Sequence, residues 1–320
     1  MLGLARVQNV SLDLGDDLRL LLNIAPALDT RSPPTFVLYI LDPEPELFAL
    51  AASHMYSRFG YATDDDPSAS IMRHCALVGV GHHPELFGAG PSGFAVGDLR
   101  NLRRKHFRDA LGGFLEALST KVVPHCESTL LKLTAGLAPK QRALMGSSLS
   151  SLPVLRSIGS ATGHGGGIFG TLVCGSPSLI FTPQLVRDLQ AARPAPASVV
   201  RVLIIVGEVE SLPQPQGGNG IPQAAEYTAD LLRRCGHHVQ MVVAPDEDHS
   251  SLKPVQVSRA FGWLERCWSD DAPLVPNTPA PRAEVDGEDS LPSDVDRFRA
   301  FWQSERGRLL VANVRAAAGQ

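Results

Sequence analysis

Three residues far apart along the chain have the types and the order needed to make a hydroxyl attack a carbonyl. Ser148 lies in Gly146-Ser147-Ser148-Leu149-Ser150, between the apolar run Ala143-Leu144-Met145 and a stretch of helical periodicity. A serine at a sharp strand-to-helix turn is presented above the carboxyl edge of a sheet. Its backbone is strained, so small residues are needed two places before and after it, here Gly146 and Ser150. The N–H of the next residue, Leu149, then sits at a helix N-terminus, where a developing oxyanion is stabilised. Serine-rich turns are common, and the simpler reading of Ser148 is a helix cap.

A serine hydroxyl is a poor nucleophile until a base takes its proton. The candidate base is His249, in the loop after the apolar run Val239–Val243 and before a helical pattern. The plainer reading makes it a surface histidine beside acids. The acid that orients the base should follow the preceding strand. Gly207-Glu208-Val209-Glu210 supplies Glu210, with Glu208 as runner-up, while Asp248 adjoins the histidine and should point elsewhere. The order serine, acid, histidine is a rule of one fold and of few others. Hydrogen bonding from Glu210 would hold the tautomer of His249 and stabilise the imidazolium formed during attack.

Such a constellation needs strands to carry it. Continuous apolar runs at Phe36–Leu41, Ala76–Val80, Arg142–Met145, Gly170–Cys174, Val199–Val206 and Val239–Val243 suit strands buried on both faces of a parallel sheet. Val7–Leu14 and Leu18–Ile24 read as an antiparallel hairpin around Gly15-Asp16-Asp17. Helical patterns fall at Glu46–Phe59, Phe107–Leu118, Val122–Leu133, Leu149–Ile158, Ala224–Cys235 and Lys253–Trp268. Strand and helix alternate, so the expected class is α/β: a mostly parallel, doubly wound sheet with helices on both faces and an antiparallel start.

Composition narrows the partners. The chain has 320 residues, 44% of them hydrophobic, and a formal net charge of −4. That apolar content excludes wholesale disorder, and the absence of a basic excess argues against nucleic acid. No apolar run is long enough for a membrane span, and the N-terminus turns polar too soon for a signal peptide. Five cysteines without a C-x-x-C argue against a disulfide framework or a zinc cage, and fit a reducing cytoplasm. The expected organisation is a domain over 1–268, a Pro-rich linker over 269–293 and a helical extension over 294–320. The extension either docks on its own domain or makes a homodimer contact.

With these residues in view, the sequence resembles the esterases of the α/β-hydrolase fold that include esterase D, enterochelin-type siderophore esterases and mycolyltransferases. The likeness spans residues 5–268. Val37-Leu38-Tyr39-Ile40-Leu41-Asp42 matches the family's V-L-Y-L-L-D strand end, and Val78-Gly79-Val80-Gly81 its V-G-I-G strand. Gly112-Gly113-Phe114-Leu115 followed by Val123-Pro124 resembles its G-G-x-x-F-L…P segment. Gly146-Ser147-Ser148-Leu149-Ser150-Ser151 aligns with G-H-S-L-G-G, and Ser176-Pro177-Ser178-Leu179 with the S-P-S after the next strand. Glu210 and His249 complete the pattern.

The resemblance implies an oxyanion hole made by two backbone N–H groups. One belongs to Leu149. The other comes from the turn after the V-L-Y-L-L-D strand, where this chain has Asp42-Pro43-Glu44 in place of D-G-x. If the donor is the residue after the family's glycine, it is the Glu44 N–H. If it is position 43, proline cannot donate and the hole loses a bond worth about 3 kcal/mol of barrier. The siderophore-type R-x-x-D-x-T-P is represented by Ala95-Val96-Gly97-Asp98-Leu99-Arg100-Asn101, without the arginine and the proline.

Other motifs carry less. Gly165–Gly170 fits G-x-G-x-x-G, but a strand should follow it where a dinucleotide site needs a helix. Asp246, Asp248 and His249 have no second metal-ligand cluster near them in sequence. His82-His83 and His237-His238 read as loop pairs, and His106 as an ordinary histidine. Arg100, Arg103, Arg104, Lys105 and Arg108 read as a solvated helix face or, functionally, as a rim that attracts an anionic substrate. Residues 82–110 are expected to form a lid or entrance loop. The reading is a serine hydrolase of small-molecule carboxylic esters, without cofactor or metal. Transfer to an alcohol acceptor, a siderophore or lactone substrate, and a non-catalytic binding role are the alternatives.

Overall fold

A computed structural model describes residues 7–15, 18–43, 45–60, 70–87, 89–90, 93–94, 96–109, 113–159, 167–191, 199–211 and 220–269. The Pro-rich segment and the helical extension expected beyond Ser269 lie outside the described residues, and so does the homodimer contact assigned to them.

Eight strands form one sheet in the order β1-β2-β4-β3-β7-β8-β9-β10. They are β1 (Gln8–Asp13), β2 (Arg19–Ala25), β3 (Phe36–Leu41), β4 (Cys75–His82), β7 (Arg142–Ser147), β8 (Thr171–Gly175), β9 (Arg201–Gly207) and β10 (His238–Ala244). A two-stranded ribbon, β5 (Ala89–Gly90) with β6 (Gly93–Phe94), stands apart. The hairpin β1–β2 and the β2–β4 pair are antiparallel, and every neighbour from β4 to β10 is parallel. Each strand expected from an apolar run is present.

The apolar runs are continuous because both faces of the sheet are covered. In β3, alternate residues point to opposite faces. Val37, Tyr39 and Leu41 join one core with residues of helices α5 (Ser151–Gly159), α6 (Pro183–Ala191) and α7 (Ile221–Arg234). Phe36, Leu38 and Ile40 join the other, under α1 (Pro45–Phe59) and α8 (Leu252–Ser269). Burial of each such side chain stabilises the fold by about 1.5–3 kcal/mol. Among the described residues no helix is long and apolar enough to cross a membrane.

The expected helices Phe107–Leu118 and Val122–Leu133 are drawn differently. One helix runs from Val96 through Arg103 (α2) into a wide π-type turn that ends at Arg108. A second begins after Gly113, whose left-handed backbone (φ 64°) breaks the helical path. It continues without a gap from α3 (Phe114–Ala117) through α4 (Val123–His125) to residue 130, by way of two π-type turns. Across the supposed gap, the Ser119 and Thr120 hydroxyls donate to the Leu115 and Glu116 carbonyls, each at 2.8 Å. These i−4 bonds satisfy carbonyls that a widened turn leaves poorly paired. Helix α6 was not expected, although Thr182-Pro183 before Leu185, Val186 and Leu189 carries the start signal of proline in the first turn.

Candidate active site

The carboxyl edge of the sheet collects strained backbone. Asp42, Ser148, Ser176 and Asp246, which follow β3, β7, β8 and β10, are non-glycine residues with positive φ. Ser148 has φ 58°, a conformation that costs on the order of 1–3 kcal/mol. The tightness of this turn fixes its neighbours. A Cβ on Gly146 would stand 2.3 Å from the Ser150 carbonyl oxygen, so only glycine fits there. Two places after Ser148, Ser150 is accommodated and buried. Its hydroxyl donates to the Ser147 carbonyl (2.8 Å) and accepts the Ser147 N–H (2.9 Å), closing the turn on itself. Ser148 therefore opens the short turn Ser148–Ser150 that leads into α5, with its side chain on the cleft wall.

A buried scaffold holds the turn from below. The Ser151 hydroxyl donates to the Gly146 and Gly175 carbonyls (2.9 and 3.1 Å), and Gln256 Nε2 on α8 donates to the Gly146 carbonyl at 2.9 Å. Gln256 crosses so close under β8 that a Cβ at Gly175 would lie 2.0 Å from its amide oxygen. Nothing in the periodicity of α8 pointed to this glutamine.

Ser148, Glu210 and His249 come together. His249 Nε2 lies 3.0 Å from Ser148 Oγ, and His249 Nδ1 lies 2.7 Å from Glu210 Oε1. A carboxylate on Nδ1 fixes the proton there, which leaves the Nε2 lone pair facing the hydroxyl. Glu210 is fully buried and sits in the short turn Val209–Ser211. Its Oε2 accepts the Gly207 N–H at 2.9 Å and the Ser176 hydroxyl. The histidine side chain is 38% exposed, so substrate can reach it.

The runner-up acids are used locally. Glu208 Oε2 accepts the Asp246 N–H at 3.1 Å. Asp248 Oδ1 accepts the Ser250 and Ser251 N–H groups (2.7 and 2.8 Å), capping the approach to α8. The Ser251 and Ser250 backbone bonds hold the Asp248 carboxyl below its usual range.

The cleft in front of Ser148 has a volume of about 180 Å³. Its apolar wall includes Ile40, Leu41, Leu47 and Met145, and its polar wall includes Asp42, Arg103, Ser250 and Lys253. Arg103, on α2, pairs with Asp42, whose N–H extends the β3–β4 pairing to the Val80 carbonyl at 2.7 Å. Arg100 is exposed on the same helix and is not among the residues lining this cleft. The stretch 82–110, expected as a lid or entrance loop, carries a helix over 96–108 and touches the cleft through Arg103. Leu149 lies in the first turn after Ser148, where helix N–H groups lack carbonyl partners. Glu44, the other expected oxyanion donor, lies outside the described residues; Pro43 beside it is buried.

The loop reading fails for His82, and His237 keeps its loop position. His82 is a buried strand residue whose Nε2 lies 2.9 Å from His106 Nδ1, with Asp42 Oδ1 3.9 Å from its other nitrogen. His237 is also buried. After Gly167 the chain enters β8, so the glycine-rich run leads into a strand and not a helix. Among the described residues no three His, Cys, Asp or Glu side chains gather as metal ligands would.

This sheet order, with a serine on a strained turn after the middle strand, defines the α/β-hydrolase fold. No family model and no curated protein matches the sequence. Solved structures do match in fold. The siderophore hydrolase EstB from Aspergillus nidulans is 17% identical, with a TM-score of 0.62 over 88% of this chain and 98% of its own. An IroE-like serine hydrolase from Shewanella oneidensis is 15% identical, with a TM-score of 0.56 over 83% and 81%. The enterobactin and salmochelin hydrolase IroE is 18% identical, with a TM-score of 0.53 over 82% and 95%.

Proposed function

We propose that the protein is a serine hydrolase that cleaves a carboxylic ester through an acyl-enzyme. The observation that carries this reading is the unbroken chain Ser148 Oγ, His249, Glu210, with bonds of 3.0 and 2.7 Å, opening on a cleft. In the first half-reaction Ser148 Oγ attacks the ester carbonyl and His249 Nε2 takes its proton. The tetrahedral intermediate then expels the alcohol as the histidine returns that proton to the leaving oxygen. Water repeats the sequence on the acyl-enzyme and releases the acid. Glu210 holds the Nδ1 proton and balances the imidazolium. The backbone N–H groups of Leu149 and Glu44 are the assigned oxyanion donors.

Lys253 and Arg103 both line the cleft, Arg103 paired there with Asp42, and Arg100 adds a further cation along α2. These favour an ester that carries a negative group. The neighbour EstB, named a siderophore hydrolase, and IroE, named an enterobactin and salmochelin hydrolase, support siderophore or lactone esters as a second substrate class.

The test is covalent labelling. A fluorophosphonate probe should modify the wild-type protein at Ser148 and leave Ser148→Ala unlabelled. A panel of neutral, anionic and macrocyclic esters, with and without an added acceptor alcohol, then separates hydrolysis from acyl transfer. Absence of both labelling and turnover would leave the fold as a binding scaffold.

A further inference from the structure

We propose that Ser178 is a fourth catalytic residue, whose hydroxyl donates a hydrogen bond to the attacking oxygen itself. The inference rests on the reading of Ser148 given above. Ser178 is buried, its Oγ lies 3.2 Å from Ser148 Oγ, and its N–H reaches the Ser148 carbonyl at 3.3 Å. It belongs to Ser176-Pro177-Ser178, directly after β8. Ser176 sits at the head of that tripeptide with a strained backbone (φ 38°). Its N–H donates to the Ile205 carbonyl (2.7 Å) and its hydroxyl donates to Glu210. One rigid tripeptide therefore touches both ends of the relay, the acid through its first residue and the serine through its last.

The direction of the Ser148–Ser178 bond follows from proton count. The Ser148 hydroxyl has one hydrogen, and attack requires that it point at His249 Nε2. Ser178 is then the donor and Ser148 Oγ the acceptor. As the proton moves to the histidine, Ser148 Oγ gains negative charge, and a bond between neutral hydroxyls becomes a charge-assisted one, roughly twice as strong. That gain belongs to the transition state and not to the bound substrate, so it raises kcat and leaves KM alone. In the acyl-enzyme the same oxygen is an ester oxygen and a weaker acceptor. When the second tetrahedral intermediate collapses, the Ser148 C–O bond breaks, charge returns to Oγ, and His249 supplies the proton. Ser178 assists both half-reactions through one contact.

The experiment compares wild type, Ser178→Ala and Ser178→Cys in the full chain. Ser178→Ala should lower kcat about tenfold, with KM changed by less than about twofold. The acid limb of its pH profile should stay where it is in wild type, because His249 and Glu210 are untouched. The fluorophosphonate labelling rate should fall by a similar factor, which gives a readout independent of the chosen ester. Ser178→Cys keeps the shape with a weak donor, should lose several-fold, and answers the question if the alanine variant does not fold. A kcat within about twofold of wild type in a folded variant overturns the proposal. So does a loss that comes with a raised KM and a shifted acid limb, since that pattern marks displacement of the histidine. If wild-type protein is not labelled at all, the hydrolase reading fails first. If it is labelled and Ser178→Ala matches it, only the role of Ser178 falls.

Discussion

At the amino edge of the sheet, buried Glu127 faces Arg142; at the carboxyl edge, buried Glu210 faces His249. Both carboxylates are well supplied with donors. Glu127 accepts Arg142 Nε and Nη2 (2.6 and 2.8 Å), the Tyr39 hydroxyl (3.3 Å) and the Leu137 N–H (3.3 Å). Glu210 accepts His249, Ser176 and the Gly207 N–H. The partners differ in one respect. A guanidinium is charged at every working pH, so the Glu127 pair is complete before and after any reaction. An imidazole can be neutral, so Glu210 can hold a partner whose charge appears only when Ser148 gives up its proton. The backbone follows the same division. Among the described residues, four non-glycine residues with positive φ follow strands at the carboxyl edge, whereas a fifth, Lys132, lies just past the helix that carries Glu127. The amino edge is built to stay, and the carboxyl edge stores strain where groups must be aimed.

The largest expected consequence of that difference lies at Glu210. Glu210→Gln keeps the shape but cannot hold the Nδ1 proton as a carboxylate does, so kcat should fall by about 10⁴. Thermal stability should move little, because an amide satisfies much of the same site. Steady-state kinetics beside a melting curve checks this, and activity above a tenth of wild type would remove Glu210 from the relay. The mirror experiment is Glu127→Gln. It removes the counter-charge of a half-buried guanidinium and should cost about 2–3 kcal/mol of stability by denaturant titration, with kcat unchanged in the folded fraction. Replacing both partners with apolar residues of similar volume should recover most of the loss. An activity loss without a stability loss at Glu127 would break the division between the edges.

The parts legible in the sequence were those with a local signature. Continuous β-branched runs announced strands covered on both faces, and Gly146, Ser148 and Ser150 announced a turn too tight for larger neighbours. The order of Ser148, Glu210 and His249 pointed to their meeting. What stayed hidden depends on contacts between elements that share no periodicity. Gln256 matters because α8 passes under the ends of β7 and β8, and one position along a helix carries no mark of that. His82 and His106 became a pair only when β4 and the end of α2 were packed together. The Ser176-Pro177-Ser178 motif was visible, but its work lies in bonds to residues 30 or more positions away.

The comparison also extends to the two imidazoles, with a smaller expected effect. His249 is half-buried at the carboxyl edge. His237 is buried at the amino edge, just before β10, where its Nδ1 accepts the Val200 N–H at 3.4 Å. Burial, with a smaller contribution from His238, pushes its pKa down to about 4 from an ordinary 6.5. The unfolded chain thus binds a proton below pH 6.5 that the folded chain refuses until about pH 4. Unfolding takes up protons in that window, so stability is fully present above the unfolded value and declines as pH falls through it. The loss approaches about 3 kcal/mol at the lower end. Denaturant titrations at pH 7, 6, 5 and 4 on wild type and His237→Asn isolate the effect. The asparagine oxygen can accept the Val200 N–H and does not titrate, so the variant should lose less stability on acidification. Parallel curves for the two proteins would show that His237 is not held neutral by its burial.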